Sequence, residues 1–231
     1  MIRRAFSAAA KAGPRGTVSI FQIPVNLGQP LLGPDKAPKL LLENGLPGIL
    51  ESSGWGTKMM PVIDSSGFDV DVALATWKES YDGSDKLVND HAQTAKNIAE
   101  VGYVCEKARD AIYEEAKTSN FVLNLGGDHC IPIGTISALK AARESMGVVW
   151  VDAHADINTP ETSDSGNVHG MPIAFLMGLV GAESSYPSMQ WFKPVLHPRD
   201  VVYIGLRDVD QGEKQFIKEL GIKAFSVCAR D

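Results

Sequence analysis

Apolar residues in this chain fall in short blocks, and the blocks alternate between two periods. Thr17-Val-Ser-Ile-Phe-Gln-Ile23 is a β-branched and aromatic run ended by Pro24, which predicts a strand. Phe121 to Leu125, Gly147 to Val151, Asp200 to Leu206 and Lys223 to Val227 have the same character, and Lys58 to Ile63 is a shorter example. Helical signals lie between them. Ala37 to Asn44 predicts a helix stopped by Gly45 and Pro47. Lys86 to Lys117 is the longest helical stretch, with Val88, Ala92, Ala95, Ile98, Ala99, Val101 and Val104 at roughly helical spacing. Pro132 opens a helix that runs to near Ser145, and Gln211 to Leu220 forms another, stopped by Gly221. Asn26 to Pro38 and the polar residues 64 to 84 read as loops. Strands alternating with helices predict an α/β fold with a mainly parallel sheet.

Composition narrows the class. The 231 residues fit one large domain or two small ones, and 44% hydrophobic content can supply a core. The net charge of −6 comes with no basic run, which argues against nucleic acid as a partner. No apolar stretch approaches the roughly 20 residues of a membrane helix. Cys105, Cys130 and Cys228 form neither a metal-type pair nor a disulfide framework, so a reducing compartment is expected. Residues 1–16 differ from the rest: Arg3, Arg4, Lys11 and Arg15 alternate with small and apolar residues, and no acid precedes Asp35. That is the composition of a transit peptide, so mitochondrial targeting is expected, with a disordered basic tail on a cytoplasmic protein as the alternative. The folded unit is then 17–231.

The chemistry lies just beyond the ends of strands. Asp152-Ala-His-Ala-Asp156 follows the apolar Val148-Val-Trp-Val151 and therefore sits where a parallel strand gives way to a loop, the edge where α/β sheets bind ligands. Gly126-Gly-Asp-His129 leaves the end of another strand, and Arg207-Asp-Val-Asp210 a third. Each alone has a plainer reading: a tight turn capped by Asp128, or a loop of solvated charges. Together, His129, Asp152, His154 and Asp156 make a mixed imidazole and carboxylate set without thiolate. Such a set suits a divalent ion of the Mn to Zn range, and a carboxylate such as Asp152 could bridge two of them. Cys130 is expected to face away and to pack.

These residues, with Asn158-Thr-Pro-Glu-Thr-Ser-Asp-Ser-Gly-Asn-Val-His-Gly170, resemble the ureohydrolases, and within them the arginases. The likeness runs from about Val18 onward, with Gln211 standing where proline is common. It implies a three-layer α-β-α fold and hydrolysis of L-arginine to L-ornithine and urea by hydroxide at a binuclear manganese site. It further implies His129, Asp152, His154 and Asp156 as manganese ligands, with Asp152 bridging and Asp156 also bonded to the hydroxide. His169 matches a proton shuttle. Asn158, Ser163, Ser165 and Asn167 match groups that bind the substrate carboxylate, and Asp210 and Glu213 groups that bind its α-ammonium. A homotrimer or hexamer is implied as well for a full-length chain.

The same family pattern has a further segment, Ser-x-Asp-x-Asp-x-x-Asp-Pro, which this sequence does not contain. One metal would keep His129, Asp152 and Asp156; the other would keep only Asp152 and His154, fewer than catalytic metals usually hold. The expectation is therefore an incomplete arginase-like sheet lacking its central strands, with unpaired inner edges and a weakened second metal site. An agmatinase-type amidinohydrolase, or a non-catalytic homologue acting by subunit association, stays open at this point.

Overall fold

A computed structural model describes residues 15–80, 95–118, 120–143, 145–180 and 186–227. The first strand, β1 (Thr17–Ile23), is buried along most of its length and lies at the centre of a parallel sheet. Its neighbours are β2 (Gly56–Met59) and β3 (Phe121–Gly126), the latter paired from Val18 opposite Phe121 to Ile23 opposite Gly126. Alternation along β1 divides its side chains between two layers. Val18 and Ile20 meet Leu42, Leu46 and Leu50 of α1 (Ala37–Glu43) and α2 (Leu46–Ser52). Phe21 and Ile23 join the main core, which includes Val101, Val104, Ala108 and Ile112 of α4 (Ile98–Ala116) and Ile133 and Ile136 of α5 (Pro132–Ala142).

A second parallel sheet has the order β4 (Val148–Val151), β5 (Val201–Leu206), β6 (Lys223–Ser226). Trp150 and Tyr203, paired across β4 and β5, face the main core. The opposite face carries Val149, Val151, Ile204 and Phe225, all exposed. Among the described residues no strand joins β3 to β4, so both present a free edge. Parallel sheets flanked by helices make this an α/β fold of the expected class.

Local departures have physical causes. Residues 64–84 are not all loop: α3 (Val70–Ser80) starts where the Asp69 carboxylate accepts from the amides of Asp71 and Val72, a cap read from the sequence only as polarity. Pro47 does not end α1 but opens α2, in the first turn where its missing N–H costs nothing. β2 begins earlier than Lys58 and ends at Met59. α4 begins at Ile98, after Asn97 in a left-handed conformation; the part of the expected long helix before residue 95 lies outside the described residues. So does nearly all of the expected transit segment.

Candidate metal centre and adjoining cleft

The loop after β3 carries His129, and it is shaped by a close approach. A side chain at Gly127 would put its first carbon 1.7 Å from the Val25 carbonyl oxygen, so only glycine fits. The amides of Gly127 and Asp128 donate to the carbonyls of Ile23 and Val25, tying the loop to the end of β1. Asp128 is buried and accepts from the amides of Gly28 (2.8 Å) and Cys130 (2.9 Å). Cys130 itself is buried and faces away from the cleft, next to Cys105, as expected of a packing residue.

From this loop the His129 ring meets the segment after β4. Its Nδ1 lies 2.7 Å from Asp156 Oδ2 and 3.3 Å from Asp152 Oδ2. Burial pulls the imidazole pKa down, but the hydrogen bond and charge of Asp156, then the charges of Asp152 and Asp128, outweigh it, and the net shift is upward. The other oxygen of Asp152 is 3.3 Å from His154 Nδ1 and accepts from the His154 amide. Asp152 thus offers one oxygen to each histidine. Asp156 is buried and left-handed (φ 50°), a conformation uncommon outside glycine.

His129, Asp152 and Asp156 bring one donor atom each to within 4.8 Å of one another. Donors about 2.0–2.2 Å from a shared cation are themselves roughly 3–4 Å apart, so this trio fits a divalent ion. The donors are nitrogen and oxygen, apt for an ion of intermediate hardness. His154 stands outside the trio and joins it through Asp152. These residues, with Asn124 and Thr135, line a cavity of about 630 Å³.

His169 lines the same cavity. Its Nδ1 is 2.8 Å from the Gly28 carbonyl, and its amide donates to the same oxygen. A carbonyl only accepts, so Nδ1 carries the proton and Nε2 is left as the acceptor nitrogen.

A second cavity of about 250 Å³ shares His154, Asp156 and His169 with the first and gathers Asn158, Ser163, Ser165, Asn167, Asp210 and Glu213. Every substrate-recognition residue expected from the sequence therefore reaches one cleft. They are not equally free. Asn158 donates to Asp210 and accepts from the Thr162 hydroxyl. Glu213 is buried, and its two oxygens accept from the amides of Ile157 and Asp210. Burial pushes its carboxyl pKa up, with the charges of Asp210 and Asp156 adding to the rise. Ser163 and Ser165 bond the amides of Gly166 and Asn167, shaping the loop they sit on.

Three participants were not legible beforehand. Asp208 sits 3.7 Å from His154 Nε2; it belongs to the Arg-Asp-Val-Asp loop, which was noted only for Asp210. Gly28 supplies the carbonyl under His169, and nothing in a Gly- and Pro-rich loop distinguishes that one carbonyl. Trp150 stacks on His129, hidden in what reads as an ordinary core strand.

Residues 17–230 match the family model described as "Arginase family". The chain is 41% identical over 211 residues to the arginase of Saccharomyces cerevisiae, covering 91% of this chain and 62% of that one. It is 37% identical over 221 residues to Arginase-1 of Xenopus laevis, covering 95% and 64%. Among solved structures, Entamoeba histolytica arginase in complex with L-ornithine superposes with a TM-score of 0.74 at 30% identity, covering 94% of this chain and 66% of that one. The chain thus spans just under two thirds of the length of each of these relatives.

Proposed function

The chain belongs to the arginase family, and from that premise we propose that its cleft serves the hydrolysis of L-arginine to L-ornithine and urea with manganese as the working metal. The observation that carries this reading is the convergence of His129, Asp152 and Asp156 in a cavity that shares His154, Asp156 and His169 with a second one holding hydroxyl, amide and carboxylate groups. His129, Asp152 and Asp156 would hold one cation, and Asp152 and His154 would contribute to a second. The chemistry such a cation would supply is activation of water near neutral pH for attack on the guanidinium carbon.

The protein's own groups do the rest. Ser163, Ser165 and Asn167 present donors suited to the α-carboxylate of an amino acid. Asp210 presents a carboxylate for the α-ammonium, and Glu213 holds Asp210 in place by accepting from its amide. Agmatine lacks the carboxylate, so these donors favour arginine. His169, protonated at Nδ1 by its bond to Gly28, is oriented to relay a proton through Nε2 to the departing amine.

The test is urea release by the purified chain supplied with Mn²⁺, from L-arginine and from agmatine, with Asp152→Ala as control. Urea from arginine, little from agmatine and none from the variant is the expected result. A chain that binds Mn²⁺ yet releases no urea from arginine overturns the proposal.

A further inference from the structure

Trp150 is the residue of β4 that turns back beneath the site. Val149 and Val151 on either side are 63% and 74% exposed, whereas Trp150 is buried. Its indole lies against the His129 imidazole with ring centroids 4.6 Å apart and planes inclined by 29°. The bonds that shape the Gly126–His129 loop act on its backbone and on Asp128, so they place the His129 Cα but not the ring. The second side-chain torsion of histidine is broad and needs an external restraint. Asp156 holds one edge of the ring through Nδ1; the indole covers its face. Trp150 Nε1 is itself buried with no hydrogen-bond partner. The position therefore uses the flat face of the indole and gains nothing from its donor.

We propose that Trp150 is a positioning residue for the metal centre: stacking holds the His129 ring in the plane that points Nδ1 at the Asp152 and Asp156 carboxylates. A ligand already set in its bound orientation has less to lose when the cation arrives. The inference rests on the reading of His129, Asp152 and Asp156 as a metal site. It does not depend on which substrate the site serves.

Two readouts test it. In the metal-free protein, the His129 ring protons should be shifted upfield in the NMR spectrum by the indole, and the shift should vanish in Trp150→Leu. In calorimetric titration with Mn²⁺, Trp150→Leu should weaken binding about tenfold, the lower end of what supporting residues of metal ligands cost. Trp150→Phe, which keeps a ring face, should stay within about threefold. Should the leucine variant not fold by circular dichroism, Trp150→Met carries the same comparison. Unchanged affinity in the leucine or methionine variant overturns the inference, and so does an equal loss in the phenylalanine variant, which would indicate volume rather than stacking. A parent protein that binds no Mn²⁺ contradicts this inference and the metal reading together. A parent that binds Mn²⁺ without releasing urea contradicts only the proposed reaction.

Discussion

Buried charge is where single residues matter most in this molecule. Glu115 reaches the Ser19 hydroxyl in the middle of β1, and also accepts from Lys58 at 2.8 Å and Asn120 at 2.9 Å. The bonds from Lys58, Ser19 and Asn120, in that order, hold its carboxyl at about 2, against an ordinary 4.5. A folded-state value below the unfolded one means the carboxylate stabilises the fold in full above about 4.5 and loses that contribution as pH falls toward 2. Glu115→Gln should therefore lower stability in urea denaturation at pH 7 by about 1.5–3 kcal/mol, the worth of hydrogen bonds to a charged group. The gap between variant and parent should close through that acid window; a gap that persists at its bottom would mean the charge was not responsible. At the ends of the second sheet's strands, Asp156 and Glu213 bring their charges close to β5. The Tyr203 phenol is pushed up first by burial and then by the charges of Asp156 and Glu213.

At the scale of elements, α6 (Gln211–Leu220) links stability to the cleft. Asp210 and Glu213 form a reciprocal capping box: each side chain accepts from the other's amide, at 2.9 and 3.2 Å. The same Asp210 accepts from Asn158. Asp210→Ala should cost about 1 kcal/mol in thermal or urea unfolding through the lost cap. Asp210→Asn keeps an acceptor for the Glu213 amide, so it should retain most of that stability. It should nonetheless raise KM for arginine, because the charge offered to the ammonium is gone. Equal KM in parent and asparagine variant would remove Asp210 from substrate recognition.

The same helix shows why some elements were legible. Its bounds follow from Asp210 before it and left-handed Gly221 after it, both local signals. β1 was equally plain because seven residues of strand character end at a proline. α3 was not legible because it opens on an alternating run, Asp69-Val-Asp-Val72, that carries no helical period. For the site, ligand types at strand ends were legible because parallel strands deliver their following loops to one edge. What was not legible are contacts between distant segments: His169 on the Gly28 carbonyl and Trp150 on the His129 ring depend on how layers pack, and periodicity carries no trace of that.

On the scale of the whole molecule, the described residues cover the second sheet on one side only. Val149, Val151, Ile204 and Phe225 form an exposed apolar face beside the free edge of β4. Such a face, with an unpaired edge, invites association. A Val149→Thr, Val151→Thr double variant should bind less of a dye that fluoresces on apolar surfaces and stay monodisperse to higher concentration in light scattering. Since the two valines point away from the Trp150 side of the sheet, Mn²⁺ affinity should be unchanged. A drop in affinity would show that the two faces are coupled. The account as a whole stands on one place, the convergence of the loops after β3 and β4. Anomalous diffraction from crystals grown with Mn²⁺ addresses it directly. The account predicts a manganese peak within bonding distance of His129 Nδ1 and of oxygens of Asp152 and Asp156; a crystal with manganese elsewhere, or none at these three residues, would contradict it.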